Sequence, residues 1–237
     1  NRLPCAPGVG GESVAMAGSS RDLPAALRAA GNLGTSTRRD LNQFINSFRN
    51  VWVAPTRDAS PSKSFGATLG GSDPLFGHQI GYVASGTYSY GEEVHADEVR
   101  ALANPGNTPG TTTEINRFEG TTGRRSVLWG GVLNLSTLIG AHSRLALNNT
   151  YDRTADNDAR VERGSLESYG IPVMIQRMQY VERRVFSSQL SGEHELFRGS
   201  RFNWAATASG VGRREPDRSE FVQQITQAPA TGTERLE

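Results

Sequence analysis

Cysteine is almost absent: Cys5 is the single thiol in 237 residues. A disulfide framework and a multi-cysteine zinc site are thereby excluded. Long apolar runs are absent too. None approaches the roughly 18 residues of a membrane-spanning helix, and with a mean hydropathy of -0.48 no helical span is expected. Nor does one sign of charge dominate, since 25 Lys and Arg meet 24 Asp and Glu for a net charge of +1. That balance supplies no electrostatic footprint for nucleic acid, so no nucleic-acid partner is expected.

Reactive constellations are missing as well. His78, His95 and His142 are scattered among turn and loop segments, with no triad or metal spacing. There is no Gly-x-Ser-x-Gly elbow and no persuasive carboxylate pair, so an enzyme is not expected. No catalytic, cofactor-binding or metal-binding residue is assigned. Glu193-His194-Glu195 has ligand-type side chains, but on a strand His194 points away from both glutamates. Asp152, Asp156, Asn157 and Asp158 lack the glycine and terminal glutamate of a calcium loop, and read as an acidic, solvated loop. Gly8-Val9-Gly10-Gly11 follows no strand and is no phosphate loop. Cys5 falls in a flexible segment and reads as incidental.

What the chain does have is glycine, 27 residues of it, and an apolar/polar alternation. Residues 1–50 form a loop and short-helix region. Ser20 is placed to cap a first helix stopped by Gly31, and Leu41, Phe44, Ile45 and Phe48 take helical spacing in a second. From residue 51 the period becomes two. Phe65, Ala67 and Leu69 share one parity, as do Ile80, Tyr82, Ala84, Tyr88 and Tyr90. So do Val127, Trp129, Leu133 and Leu135; Leu145, Leu147 and Tyr151; Tyr180, Phe186 and Leu190; and Phe202, Trp204, Ala206 and Ala208. Runs of about 9–11 residues are the length a tilted strand needs to cross a bilayer.

The expected connections alternate in length: short at 70–77, 139–141 and 196–200, long at 92–124 and 152–172. Tight turns at one end and long loops at the other are the habit of a transmembrane β-barrel. Tyr88, Tyr90, Trp129, Tyr151, Phe202 and Trp204 fall near strand ends, where an interfacial girdle belongs. The predicted fold is therefore all-β: an antiparallel transmembrane β-barrel segment, a curved up-and-down meander over residues 51–225, with 226–237 a loop tail. About six strands are too few for the eight of the smallest single-chain barrels, so an arc of a larger barrel is expected. The opening Asn1-Arg2-Leu3-Pro4, with neither initiator methionine nor leader, agrees with a piece of something longer. The charged run Glu182-Arg183-Arg184 is expected above the membrane, with residues 186–190 as the spanning part of its strand.

The residues also carry a family resemblance. The run 180–196, Tyr-Val-Glu-Arg-Arg-Val-Phe-Ser-Ser-Gln-Leu-Ser-Gly-Glu-His-Glu-Leu, resembles the barrel of TonB-dependent outer-membrane receptors. Trp204-Ala205-Ala206, the stretch 214–221, the pieces 127–135 and 147–153, and Asn50-Val51-Trp52 before Ser64-Phe65 look like the same barrel in order and spacing. The resemblance covers about residues 46–225 and implies the early barrel, with the plug domain and the TonB-contacting box outside this chain. It implies an energy-coupled receptor and transporter in the outer membrane of a Gram-negative bacterium. Its partners would be outer-membrane lipid, the plug domain of the same protein, and TonB only through segments absent here. The imported scarce ligand would be a siderophore, oligosaccharide, peptide or cobalamin. The loops 92–124 and 152–172 would face outside, and Ser85, Thr87, Asn134, Arg144, Asn148, Asn203 and Thr207 would face the lumen. Two alternatives stay open: a complete small outer-membrane barrel of structural or adhesive role, and a soluble β-sandwich binding module.

Overall fold

The computed structural model describes residues 2–6, 8, 11–30, 34, 36–49, 51–75, 77–166, 170–227 and 234–236. Near the start of the chain, β1 (Arg2–Pro4) and β2 (Thr56–Asp58) make a two-stranded ribbon, and two short helices, α1 (Ala25–Ala30) and α2 (Arg38–Ser47), fall between them in sequence. The dominant feature follows: one antiparallel meander in which each strand pairs with its neighbours in the chain. Its strands are β3 (Lys63–Leu75), β4 (His78–Pro105), β5 (Thr112–Ile139), β6 (Ser143–Leu166), β7 (Ile171–Glu195), β8 (Arg201–Gln227) and β9 (Glu234–Leu236). All-β architecture and up-and-down order thus agree with the sequence pattern. Among the described residues the sheet does not close: β3 pairs only with β4, and β8 only with β7 and β9.

The strands are much longer than the dyad repeats. β4 and β5 each run 28 residues, β6 24, β7 25 and β8 27. The expected long loops at 92–124 and 152–172 are accordingly corrected to strand, with residues 106–111 left between β4 and β5 and residues 167–169 outside the described residues. Strand likewise continues to Gln227, and part of the expected 226–237 loop tail pairs as β9. The physical reason lies in cross-strand partners. Arg124 meets Asp158 at 2.8 Å, Arg183 meets Asp156 at 2.5 Å and Arg177 meets Glu220 at 2.6 Å, ladders that composition does not reveal. The acidic run on residues 152–158 is therefore a paired stretch of β6 rather than a solvated loop.

At the lower end the connections are tight. Gly140, at φ 64°, supplies the left-handed residue that a β-branched side chain could not in the turn from β5 to β6. The short turn expected at 70–77 shrinks further, because β3 persists to Leu75.

Helix α1 starts after Pro24 rather than at Ser20, with the Pro24 carbonyl accepting from the amides of Leu27 and Arg28. Proline has no amide to lose at a first turn, which makes it a ready opener. Thr37 and Asp40 form a reciprocal capping box that starts α2. Part of the N-terminal region is not free loop: among the described residues, those around Ala6, Ala15, Ala17 and Ala54 lie on one face of the sheet's upper half. Ala15 and Ala17 pack on Val127, Ala155 and Tyr180, and Ala6 and Ala54 on Ala159 and Met178.

Candidate functional surface

Residues directly opposite in the ladder share a face, so the register sorts every side chain. One row across β3 to β8 reads Phe65, Tyr88, Trp129, Arg153, Arg184, Gly212. The next rows down the same face are Ala67, Gly86, Gly131, Tyr151, Phe186, Gly210, then Leu69, Ala84, Leu133, Asn149, Ser188, Ala208, then Gly71, Tyr82, Leu135, Leu147, Leu190, Ala206. None of these three rows holds a charge. A fifth row, Asp73, Ile80, Thr137, Leu145, Gly192, Trp204, follows one step below, and His194 and Phe202 pair beyond it.

The band is bounded by rings. Phe65 stacks on Tyr88 at 5.1 Å and Trp129 lies 5.3 Å from Tyr151 along the top, while His194 stacks with Phe202 and Trp204 at the bottom of β7 and β8. Nothing among the described residues covers it: Phe65 is 71% exposed, Leu69 65% and Leu133 45%. From Phe65 to Leu75 at about 3.3 Å per residue the band is about 33 Å along the strand. A strand tilt of about 40° turns that into about 25 Å of height.

The opposite face of the same strands, in the alternate rows, is polar. Asn134, Asn148, Gln189 and Thr207 form one row, continued by Val83 and Gly70 on β4 and β3, and Thr68, Ser85, Val132, Thr150, Ser187 and Ser209 form another. Thr68 and Ser85 hydroxyls are 3.0 Å apart, and Gln189 donates to Thr207 at 3.1 Å. Thr87, Arg144 and Asn203 fall on this face by the same register. The seven polar positions read from the sequence therefore do share one face.

Immediately above the band a strap crosses the sheet. Tyr88 donates to the Ser13 carbonyl at 2.8 Å on β4, Trp129 Nε1 to Val14 at 2.7 Å on β5, and Arg153 Nε to Ala15 at 2.7 Å on β6. On β7 Glu182 accepts from the Ala17 amide at 2.8 Å, and on β8 Arg214 donates to the Gly18 carbonyl and pairs with Asp22. Buried charge fastens the segment. Arg21 and Glu12 form a 2.5 Å pair with both side chains almost fully buried, and Arg21 reaches Asp217 at 2.6 Å. Glu182, buried, takes Arg153 at 2.9 Å and a hydrogen bond from Tyr180 at 3.1 Å. Burial, followed by the Glu182 carboxylate, pushes the Tyr180 hydroxyl well up.

Higher on the same face Glu92 accepts from Arg57 and Tyr90 and lies 3.3 Å from Arg125. Burial works against its charge, yet the hydrogen bonds from Tyr90 and the Ser60 amide and the charges of Arg57 and Arg125 hold its carboxyl below the ordinary range. Cys5 is no incidental residue of a flexible segment: it is buried, 2.7 Å from Arg125 Nη2. A cavity of about 370 Å³ lies between this N-terminal layer and β8, with Leu23, Ile45, Phe48 and Trp52 among its walls.

His194 Nδ1 sits 3.0 Å from the Ser143 hydroxyl and its Nε2 accepts from Trp204 at 2.9 Å, away from Glu193 and Glu195 as strand alternation requires. His95 lies at a bulge 3.4 Å from Glu93, and His142 is 3.5 Å from Glu195. Among the described residues no group of His, Cys, Asp and Glu is arranged to hold a metal. Of the glycine run at 8–11, Val9 and Gly10 lie outside the described residues. Among the described residues no helix is long and apolar enough to cross a membrane, which says nothing of strands.

No model of a known protein family matches the chain, and no curated protein matches it.

Proposed function

We propose that this chain is part of the wall of a transmembrane β-barrel in a bacterial outer membrane, belonging to a TonB-dependent receptor that imports a scarce ligand. The observation that carries the reading is the ring-bounded apolar band on one face of β3 to β8, backed by a polar face in the alternate rows of the same strands. Soluble monomers rarely leave a contiguous apolar surface of this extent uncovered. Lipid covers the band on this reading, and water or a plug wets the polar side. The height of about 25 Å matches a hydrocarbon core crossed by tilted strands. The charged stretch at Glu182-Arg183-Arg184 then stands at and above the headgroups, in the long upper wall.

Closure follows from physical chemistry. Inside lipid every backbone amide and carbonyl needs a partner, so the open edges of β3 and β8 must be paired by further strands. A wide barrel of about 22 strands with a plugged lumen accommodates this wall as an arc. The receptor assignment rests on the resemblance of residues 46–225 to that family's barrel, and the ligand class is left to the plug and the remaining loops.

The test is the size and location of the native protein in fractionated cells, probed with an antibody against the tip at residues 106–111. A band several times 25.6 kDa in the outer membrane, released only by detergent, is the expected result. A soluble 25.6 kDa band would overturn the reading in favour of a binding module free in solution.

A further inference from the structure

Charge does not balance at the upper edge of the band. Three guanidinium groups, Arg153, Arg184 and Arg214, project on one face of β6, β7 and β8 in two adjacent rows. Two carboxylates meet them. Glu182 takes Arg153 at 2.9 Å and Arg214 at 3.9 Å, and Asp22 of the strap takes Arg214. Arg184 is left over: it is exposed, and among the described residues its guanidinium has neither an ion pair nor a hydrogen bond.

Its position is built by its neighbours. A β-carbon at Gly212 would stand 2.8 Å from Arg184 Nε, and one at Gly210 would stand 2.6 Å from Phe186 Cε1. The two glycines of β8 therefore let the Arg184 and Phe186 side chains lie flat across the neighbouring strand. The result is a cation directly above an exposed aromatic ring, at the row where the apolar band begins. An arginine with its stem on apolar surface and its fork in water is suited to a tetrahedral oxyanion, which the guanidinium binds through two parallel N–H donors.

We propose that Arg184, with Phe186 beneath it, is a binding site for the phosphate of an anionic lipid headgroup, whose acyl chains lie down the face formed by Phe186, Gly210, Leu190 and Ala208. This rests on the membrane reading above and adds to it a specific lipid contact. A lipid is the occupant because one molecule satisfies both halves of the surface: the surplus charge above and the uncovered apolar band below it. A free phosphate would answer only the first. Arg153 and Arg214 are already held by Glu182 and Asp22 and do not compete for the headgroup, so the surplus positive charge is that of Arg184.

The experiment uses the full protein extracted from its membrane and placed in nanodiscs of phosphatidylglycerol or of phosphatidylcholine. Lipid retained on release into the gas phase is weighed by native mass spectrometry, for the wild type, Arg184→Gln, and Arg218→Gln as an exposed arginine on the opposite face. Phosphatidylglycerol is expected to be retained in preference, with retention falling about five-fold in Arg184→Gln, the factor one arginine is worth at an anionic surface, and unchanged in Arg218→Gln. Gly212→Val, which displaces the arginine without removing it, should lower retention in the same direction. Equal retention of both lipids, or no change in Arg184→Gln, overturns the site while leaving the membrane reading intact. Competition by inorganic phosphate at millimolar concentration would assign the site to free anion and also overturn it. A protein that never enters nanodiscs and is soluble without detergent sinks both.

Discussion

The indole Nε1 of Trp129 donates to the carbonyl of Val14 at 2.7 Å, joining residues 115 apart in the chain. The ring that closes the top of the apolar band is thereby also a peg for the strap that crosses above it. Tyr88, on the adjacent strand, holds the strap in the same way through Ser13. The aromatic row has two tasks at once, packing along the band and holding the N-terminal layer down.

Replacing Trp129 by Phe keeps a ring in the row and removes the donor. The loss of one such hydrogen bond is worth about 1 kcal/mol. Amide hydrogen exchange at Val14 to Ala17 is expected to quicken by roughly five-fold, the factor that this energy corresponds to, with exchange in the β5 ladder unchanged. Equal acceleration in both would mean that the ring holds the sheet rather than the strap.

The Glu12–Arg21 pair makes a sharper case, since its side chains are 6% and 2% exposed. Glu12→Ala takes a carboxylate away from a buried guanidinium, with Asp217 still beside it, and breaking a buried pair this way costs about 3–5 kcal/mol. Arg21 should become a ready trypsin site in that variant. The double variant Glu12→Ala, Arg21→Met should recover a large share of the loss, because the buried Arg21 charge goes with its partner, while Arg125 keeps Glu92 and Asp217 keeps Arg49. Limited proteolysis tells the two apart. Loosening of the single variant is read at Arg21, and that of the double variant at Arg28, because a methionine at position 21 gives trypsin nothing to cut. Cleavage of the double variant as rapid as that of the single one would mean that shape, not charge, fastens the strap.

The strap and its ion pairs were not legible in the sequence, whereas the band was. Alternation at Phe65, Ala67, Leu69 or at Leu133, Leu135 is a local signal, because one face meets an apolar environment and the other does not. In the upper halves of β4 to β8 that contrast fades. There Arg124, Asp158, Arg183 and Asp156 support the ladder by cross-strand charge, and a sequence with charge on both parities reads as loop. Glycine and proline at 105–110 add a turn signal to the same stretch, although only residues 106–111 lie between β4 and β5. The N-terminal contacts are beyond any local pattern: Glu182 meets Ala17 across 165 positions and Arg21 meets Asp217 across 196. Cys5 likewise gained its meaning only when Arg57 and Arg125 came to it from separate strands.

Acid should loosen the upper attachment through Glu92. Its carboxyl sits below the ordinary value when folded, so its contribution is complete above the ordinary carboxylate range and is lost as pH falls through the lowered folded value. Exchange of the Ser60 amide, which donates to Glu92 at 2.6 Å, reports this directly once intrinsic exchange rates are corrected for pH. Protection at Ser60 is expected to fall in acid in the wild type and to be low and flat with pH in Glu92→Gln. A wild-type profile as flat as the variant's would remove Glu92 from the attachment.

The two faces of one strand give the most direct contrast. Leu147 sits in the uncharged rows near mid-band, and Asn148, the next residue, looks to the polar side between Asn134 and Gln189. An arginine on a lipid-facing position at mid-membrane costs about 2–4 kcal/mol, whereas a lumen position tolerates it. For the protein folded into phospholipid vesicles, urea titration should therefore find Leu147→Arg destabilised by that amount and Asn148→Arg within about 0.5 kcal/mol of wild type, as for surface changes generally. The same pair of variants measured in detergent-free buffer would behave differently if water covered the band, because an arginine at Leu147 would then be the more soluble choice. A Leu147→Arg protein that folds and inserts as well as its neighbour would place that face outside the lipid, and with it the entire wall.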